Sequence, residues 1–321
     1  MCGGELNEVI RAEISVRGSV SFCRFMDLAL YHPALGYYRR GSDPFGIRGD
    51  FYTAEQLPAF GQILAIYVAK LKSTLEKTAN FEILELGAGR GELAQALRPW
   101  NYRAFEWNTD PLPESMSGLV IANEFFDALP VHLLSKTQSG WRELGVTWDG
   151  QRFVFAQAEN LSSELARFAE REGGAAPVGG LLEVNLAMRS WVERVGRFLV
   201  RGRLLVIDYG YATPELARFP MGTLMAYRGH AAHSEVLDAP GKQDITAHVN
   251  FSVLRATAVN SGFKIVRECS LRAWALSICE TGEWIENWEA ADARWRLHWK
   301  QLVFGMGETF RVLELEKAAT K

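Results

Sequence analysis

Apolar positions along this chain keep two different spacings. From residue 5 to 35 they recur at helical intervals: Val9, Ile10 and Ile14, then Phe22, Phe25, Met26, Ala29 and Leu30, until Pro33 and Gly36 stop the pattern. A glycine-rich loop, GYYRRGSDPFGIRGDFYT, leads into a second apolar-faced helix from about Pro58 to Leu75. Residues 1–80 therefore read as a helical front piece with a loop.

From Phe81 the pattern changes. FEILELG, LVIAN and RLLVIDYG are short apolar runs bounded by turn or polar residues, as expected of strands buried on both faces. Between the first two, GELAQALRP sets Leu93, Ala96 and Leu97 on one helical face, and Pro99 ends it. Strand, glycine turn, helix and strand predict a parallel α/β sheet over residues 81–321. EREGGAAPVGG, residues 170–180, reads as a loop within that domain, between an irregular middle segment and the helix leading into RLLVIDYG. GFKIVREC and ETFRVLELE predict two further strands, with a Trp-rich helical segment between them.

Composition narrows the partners. With 48% hydrophobic residues in 321, the chain can bury one large core or two smaller ones. Its 35 basic and 38 acidic residues leave a net charge of −3, which gives no footprint for nucleic acid or an anionic membrane. No run approaches the ~20 apolar residues of a membrane span, and MCGGELNEVIRAEI lacks a basic-plus-apolar signal segment, so a cytoplasmic location is expected. Cys2, Cys23, Cys269 and Cys279 form no CxxC pair, and His230 and His233 lack zinc-ligand company, so structural thiols and no metal site are expected.

Two stretches carry candidate chemistry. Glu85-Leu86-Gly87-Ala88-Gly89-Arg90-Gly91 places three glycines at alternate positions after a strand and before a helix. Glycine permits positive φ and leaves room where a side chain would block a ligand. A dinucleotide fingerprint would need a third glycine at position 92, which is Glu, and no Lys-Ser or Lys-Thr completes a Walker loop. The form suits S-adenosylmethionine, with the helix N-terminus favouring the methionine carboxylate and Glu85 the ammonium; the competing reading is a tight turn for close packing. The second stretch is VIANEFFDALP, where a buried run ends in Asn123-Glu124-Phe125-Phe126-Asp127.

Around these lie SFCRFMDLALYHPALGYY (21–38), GDFYTAEQLPAFG (49–61), ELGAGRGEL, ANEFFDALPV, IDYGY (207–211), LMAYRGH, PGKQDITAHVNF (240–251) and MGETFRVL (306–313). In this order they resemble the MidA-like S-adenosylmethionine-dependent methyltransferases over most of the chain. The resemblance implies a Rossmann-like class I methyltransferase sheet in residues 81–321 with helical insertions, preceded by an N-terminal helical cap and cleft loop in residues 1–80. It implies that Glu85, Gly87, Gly89 and Gly91 hold the cofactor, S-adenosyl-L-methionine, joined by Asn123 and Phe125 at the end of the family's fourth strand and by Thr53. Glu106, in NYRAFEWN, is the candidate acid for the ribose hydroxyls. Glu124, Asp50, Asp244 and His248 are the candidate catalytic residues, with Phe51 near the methyl-donor cleft and Tyr227 and Arg228 as weaker candidates. The implied partner is a protein substrate, such as a subunit of a respiratory complex, methylated on arginine. The chain departs from the family where about thirty residues separate Gly91 from Asn123. Either Glu106 ends a second strand with the following helix and strand shortened, or that unit is missing.

Methyl transfer from a sulfonium is an in-line displacement that rests on positioning. A guanidinium acceptor beside a sulfonium needs carboxylates, and Glu124, Asp127 and Asp50 are suitable types, with His248 or a carboxylate to take the proton. Phe125 or Phe126 could face the sulfonium, although Phe126 reads better as core. Asp127 reads equally as the cap of a helix starting at Ala128, and Asp208 as the holder of the next turn. Trp284, Trp288, Trp295 and Trp299 share one helical face, which fits core packing better than a docking surface. A cofactor-binding assembly factor without catalysis is the alternative function; a nicotinamide-dependent oxidoreductase is disfavoured by Glu92.

Overall fold

The computed structural model describes residues 2–39, 57–75, 80–106, 111–158, 160–279 and 293–318. The chain divides into two compact units, each drawn from three stretches.

The sheet unit comprises residues 53–126, 189–210 and 253–321. Its strands are β1 (Phe81–Leu86), β2 (Asn101–Phe105), β3 (Met116–Asn123), β4 (Leu199–Tyr211), β5 (Lys264–Ser270) and β6 (Phe310–Lys317). They lie in the order β2-β1-β3-β4-β6-β5. The first four are parallel, with Glu85 opposite Ala104 and Ile121, and Asn123 opposite Ile207. β6 and β5 complete the sheet antiparallel, with Leu313 opposite Val206 and Glu268.

The apolar runs became these strands because both faces are covered. Leu119, Val120, Ile121 and Ala122 are fully buried. Helix Pro58–Thr74 opens with proline at its first position and buries Phe60, Ile63, Leu64, Tyr67 and Val68 in one core with Ile83, Leu119, Leu205 and Trp274. Burying a side chain of this size contributes roughly 1.5–3 kcal/mol. Trp299 belongs to the same core, while Trp295 stacks on it at 6.3 Å and donates its indole N–H to Gln62 at 2.7 Å. These two tryptophans are packing residues; Trp284 and Trp288 lie outside the described residues.

The second strand exists, as β2. Residues 106–115 separate it from β3, too few for the helix and third strand of a full-length unit, so this edge of the sheet is shortened.

The other unit comprises residues 1–52, 127–188 and 211–252. Helices Cys2–Arg17 and Phe22–Tyr31 share a core with Val131, Leu133 and Val146. Leu133 and Val146 come from, and Val131 directly precedes, an antiparallel sheet of Val20–Ser21, His132–Thr137, Gly140–Trp148, Phe153–Gln157 and Leu181–Val184. The insertion thus adds a sheet to the helix Ser163–Glu172. One hairpin turns at Gly150, φ +103°, where Asp149 Oδ1 accepts the Gln151 and Arg152 amides at 2.8 Å. A three-stranded sheet joins Met225–Arg228 to Ala231–His233 and Asp244–Thr246.

The division expected at residue 80 is therefore not the one that contacts follow. Helix Pro58–Thr74 goes with the parallel sheet because its apolar face packs on β1 and β3, whereas the first two helices pack on the inserted sheet.

Candidate active site

The glycine turn follows β1 directly. Gly87, Gly89 and Gly91 take φ of +69°, +56° and +72°, a region that side chains other than glycine's rarely adopt. Gly91 begins the six-residue helix Glu92–Leu97. The Gly87 amide donates to Phe105 O at 2.8 Å, and the Gly89 amide donates to Glu106 Oε1 at 2.7 Å. Glu106 therefore lies just past the carboxyl end of β2, against the turn, which decides between the two readings of NYRAFEWN. Glu85 is 1% exposed and accepts the Tyr102 hydroxyl from β2.

The end of β3 is held by its neighbour β4. Asn123 is buried, and Glu124 takes φ +47°, a left-handed conformation costing a non-glycine residue roughly 1–3 kcal/mol. The Glu124 amide donates to Ile207 O at 2.9 Å. Asp208, fully buried, accepts the Phe126 amide at 3.1 Å and the Tyr209 amide at 3.0 Å. Asp208 thus fastens the turn, as its sequence context suggested. Phe126 is fully buried, and the Phe125 ring meets Phe126 and Trp191 edge-on, each at 5.3 Å. Arg194 covers Trp191 at 4.4 Å.

The sheet unit therefore collects Glu85, Gly87, Gly89, Gly91, Glu106, Asn123, Glu124 and Phe125 at the carboxyl ends of β1, β2 and β3. Ligands of open α/β sheets bind at such ends. Tyr102, whose hydroxyl donates to Glu85, and Trp191, which packs on Phe125, support this set although sequence reasoning passed over both.

The other candidates lie in the second unit. Asp244 is 2% exposed; its Oδ1 accepts the Tyr38 hydroxyl at 2.8 Å and the Ile245 amide at 2.9 Å. Burial, then the neighbouring Asp244, Tyr31 and Asp127, push the Tyr38 hydroxyl well above its usual range, so it remains a donor. His248 donates its amide to Thr223 Oγ1 at 2.9 Å and sets its ring edge-on to Phe219 at 5.4 Å. Burial pushes its pKa below the usual imidazole value. Asp127 O accepts the Ala247 amide at 2.9 Å, bringing the segment between Asp244 and His248 to Asp127. Asp127 caps no helix: residues 127–129 form a turn, because Pro130 lacks an amide hydrogen and disfavours helical backbone just before it. Tyr227 lies opposite Asp244 in the small sheet, and Arg228 is exposed at its strand end. Asp50, Phe51 and Thr53 lie outside the described residues.

A turn of alternating glycines on a parallel strand, with an acid ending the next strand, is the cofactor end of a class I S-adenosylmethionine-dependent methyltransferase. The family described as "Putative S-adenosyl-L-methionine-dependent methyltransferase" matches residues 95–269, and the chain belongs to it. Its fold is also that of a COG1565 superfamily member from Burkholderia thailandensis bound to S-adenosyl-homocysteine, with TM-score 0.88 and 30% identity over 100% of this chain and 94% of that one. The protein arginine methyltransferase NDUFAF7, mitochondrial, is 29% identical in Mus musculus, over 77% of this chain and 68% of that protein. The Danio rerio protein of that name is 26% identical, over 78% and 71%. S-adenosylmethionine is the cofactor of this chain's family. No helix among the described residues is long and apolar enough to cross a membrane.

Proposed function

We propose that this chain transfers the methyl group of S-adenosylmethionine to an arginine side chain of a protein substrate. The observation that carries the reading is Glu124: a carboxylate at the end of β3, in left-handed backbone whose amide is held by Ile207 O, with the Phe126 amide two residues on held by Asp208 of β4. Backbone strain of this kind clusters at functional sites. The names of the curated relatives support arginine as acceptor.

The residues of the turn fit the cofactor. A Cβ at Gly91 would meet nothing nearer than Ala94 Cβ at 3.9 Å, which leaves space for a ligand along the turn. Gly87, Gly89 and Gly91 would give it backbone to lie against, Glu106 a carboxylate for the ribose hydroxyls, and Glu85 a negative charge for the ammonium. When bound, the cofactor supplies an electrophilic methyl group on a sulfonium.

Glu124 binds and orients the cationic guanidinium, which lowers the repulsion between two positive groups. Asp244 and Asp50 stay candidate catalytic acids on the strength of the family resemblance. His248 stays the candidate proton acceptor on the same ground; burial lowers its pKa, which favours the neutral imidazole that such a role needs. Asn123, Phe125 and Thr53 complete the cofactor contacts. The acceptor is taken to be a protein subunit such as those of respiratory complexes, and the location the cytoplasm.

Incubation of the protein and labelled S-adenosylmethionine with cell lysate, followed by acid hydrolysis, tests this reading. Labelled methylarginine is expected; label confined to other amino acids would overturn the choice of acceptor. Cofactor binding with no transfer to any protein would favour an assembly factor instead.

A further inference from the structure

Strand β2 and the residue after it hold the glycine turn and its approach at three points. Phe105, the last residue of β2, accepts the Gly87 amide at 2.8 Å, and Glu106 just beyond accepts the Gly89 amide at 2.7 Å. The third point is made between side chains: the Tyr102 hydroxyl donates to Glu85 Oε2. The first two fix backbone, whereas Tyr102 fixes a carboxylate two residues before the first glycine.

The strand register makes this bond possible. Ile83 lies opposite Tyr102, and Glu85 opposite Ala104, across the parallel pair of β1 and β2. Residues two apart on a strand share a face, so Ile83, Glu85 and Tyr102 lie on one side of the sheet. Tyr102 packs against the core that contains Ile83 and helix Pro58–Thr74. A phenylalanine would fill the same space; what the tyrosine adds to that packing is a donor that reaches Glu85.

Glu85 is 1% exposed, so its carboxylate is held away from bulk water. Burying such a group is costly unless hydrogen bonds and an opposite charge compensate it. The hydroxyl supplies a hydrogen bond, and a carboxylate that accepts one bond keeps lone pairs for others. A ligand's ammonium supplies the opposite charge. We propose that Tyr102 is a positioning residue for the methionine end of the cofactor: it fixes the orientation in which Glu85 meets the α-ammonium, and so makes the site select S-adenosyl ligands by their amino group. This rests on the placement of the ammonium at Glu85 given above. Tyr102 acts through Glu85.

The consequence is selectivity among adenosine thioethers. S-adenosylhomocysteine carries an α-ammonium and an α-carboxylate; its decarboxylated form keeps the ammonium alone, and 5′-methylthioadenosine has neither. All three share the adenosine, and with it the ribose hydroxyls assigned to Glu106. A tyrosine that only packs or stiffens β2 affects the three ligands alike. One that orients Glu85 affects the first two and spares the third.

The test is calorimetric titration of wild type, Tyr102→Phe, Glu85→Gln and the double variant with these three ligands. Losing a hydrogen bond to a charged group should weaken S-adenosylhomocysteine and its decarboxylated form by about tenfold in Tyr102→Phe, with 5′-methylthioadenosine within about twofold of wild type. Retained binding of that third ligand also shows that the variant is folded. Glu85→Gln should give the same selective loss, and adding Tyr102→Phe to it should cost less than about a further twofold, because both act through one bond. Should Glu85→Gln lose 5′-methylthioadenosine as well, Tyr102→Phe alone carries the test. Equal weakening of all three ligands by Tyr102→Phe, no weakening, or a loss confined to the ligand with the carboxylate would each overturn the proposal, as would additive losses in the double variant. A wild type that binds none of the three would overturn the cofactor site itself, and the proposal with it.

Discussion

Gly87 and Phe125 are in contact through the absence of a side chain: a Cβ built on Gly87 would lie 2.8 Å from Phe125 Cδ2. The turn after β1 and the turn after β3 thus lock together. Gly87→Ala therefore has two costs, a positive φ and an overpacked ring, each of order 1–3 kcal/mol. Differential scanning calorimetry should show the loss, and titration should show weaker S-adenosylhomocysteine binding. Phe125→Leu added to Gly87→Ala should restore part of the stability, because the clash goes and the φ penalty stays. Additive effects of the two substitutions would refute the contact's role.

Glu106 joins the ribose prediction to a visible bond, the Gly89 amide at 2.7 Å. Hydrogen bonds to a charged group are worth roughly 1.5–3 kcal/mol, so Glu106→Ala should weaken S-adenosylhomocysteine binding by about ten- to a hundredfold. Calorimetric titration checks this. An unchanged dissociation constant would remove Glu106 from the cofactor site.

Asp208 secures two backbone amides while fully buried. Asp208→Ala leaves them without that acceptor, which costs about 1–3 kcal/mol per orphaned group. The expected kinetic signature is a fall in kcat larger than any rise in the KM for S-adenosylmethionine, since the substitution frees the Glu124 turn and leaves the glycine turn in place. A rise in KM alone would place Asp208 in cofactor binding.

His248 gives stability a pH dependence of known sign. Its folded-state pKa lies below the unfolded value near 6.5, so near and below that pH the unfolded chain binds more protons than the folded one. Its contribution is therefore neutral above about pH 7 and turns destabilising as pH falls through 6.5. Urea midpoints measured from pH 8 to 5 should fall less steeply for His248→Gln than for wild type. Parallel curves would show that another group carries the dependence.

The parallel sheet was legible because strands buried on both faces must be apolar throughout, and FEILEL and LVIAN are nearly so. The inserted sheet was harder to read: GWRELGVTW mixes charge with apolar residues because it is only partly covered. Asp149-Gly150 marked its hairpin, a local signal that does not tell which strands pair. Tyr38 was hidden because its partner, Asp244, is 206 positions away, a pairing that no spacing rule reaches. Trp191 sits on an amphipathic helix, where an aromatic residue reads as core, and it is core as well as a support for Phe125. Asp127 misled because a cap motif was read without weighing Pro130.

The most direct test of the account is single-turnover methyl transfer to an arginine-containing protein acceptor by wild type and Glu124→Gln, with S-adenosylhomocysteine affinity measured on both. A group that stabilises the developing charge is worth about a hundredfold or more in rate. The account predicts a loss of that size in Glu124→Gln with cofactor affinity within about threefold of wild type. Equal rates for the two proteins would contradict it, as would a loss explained wholly by weaker cofactor binding.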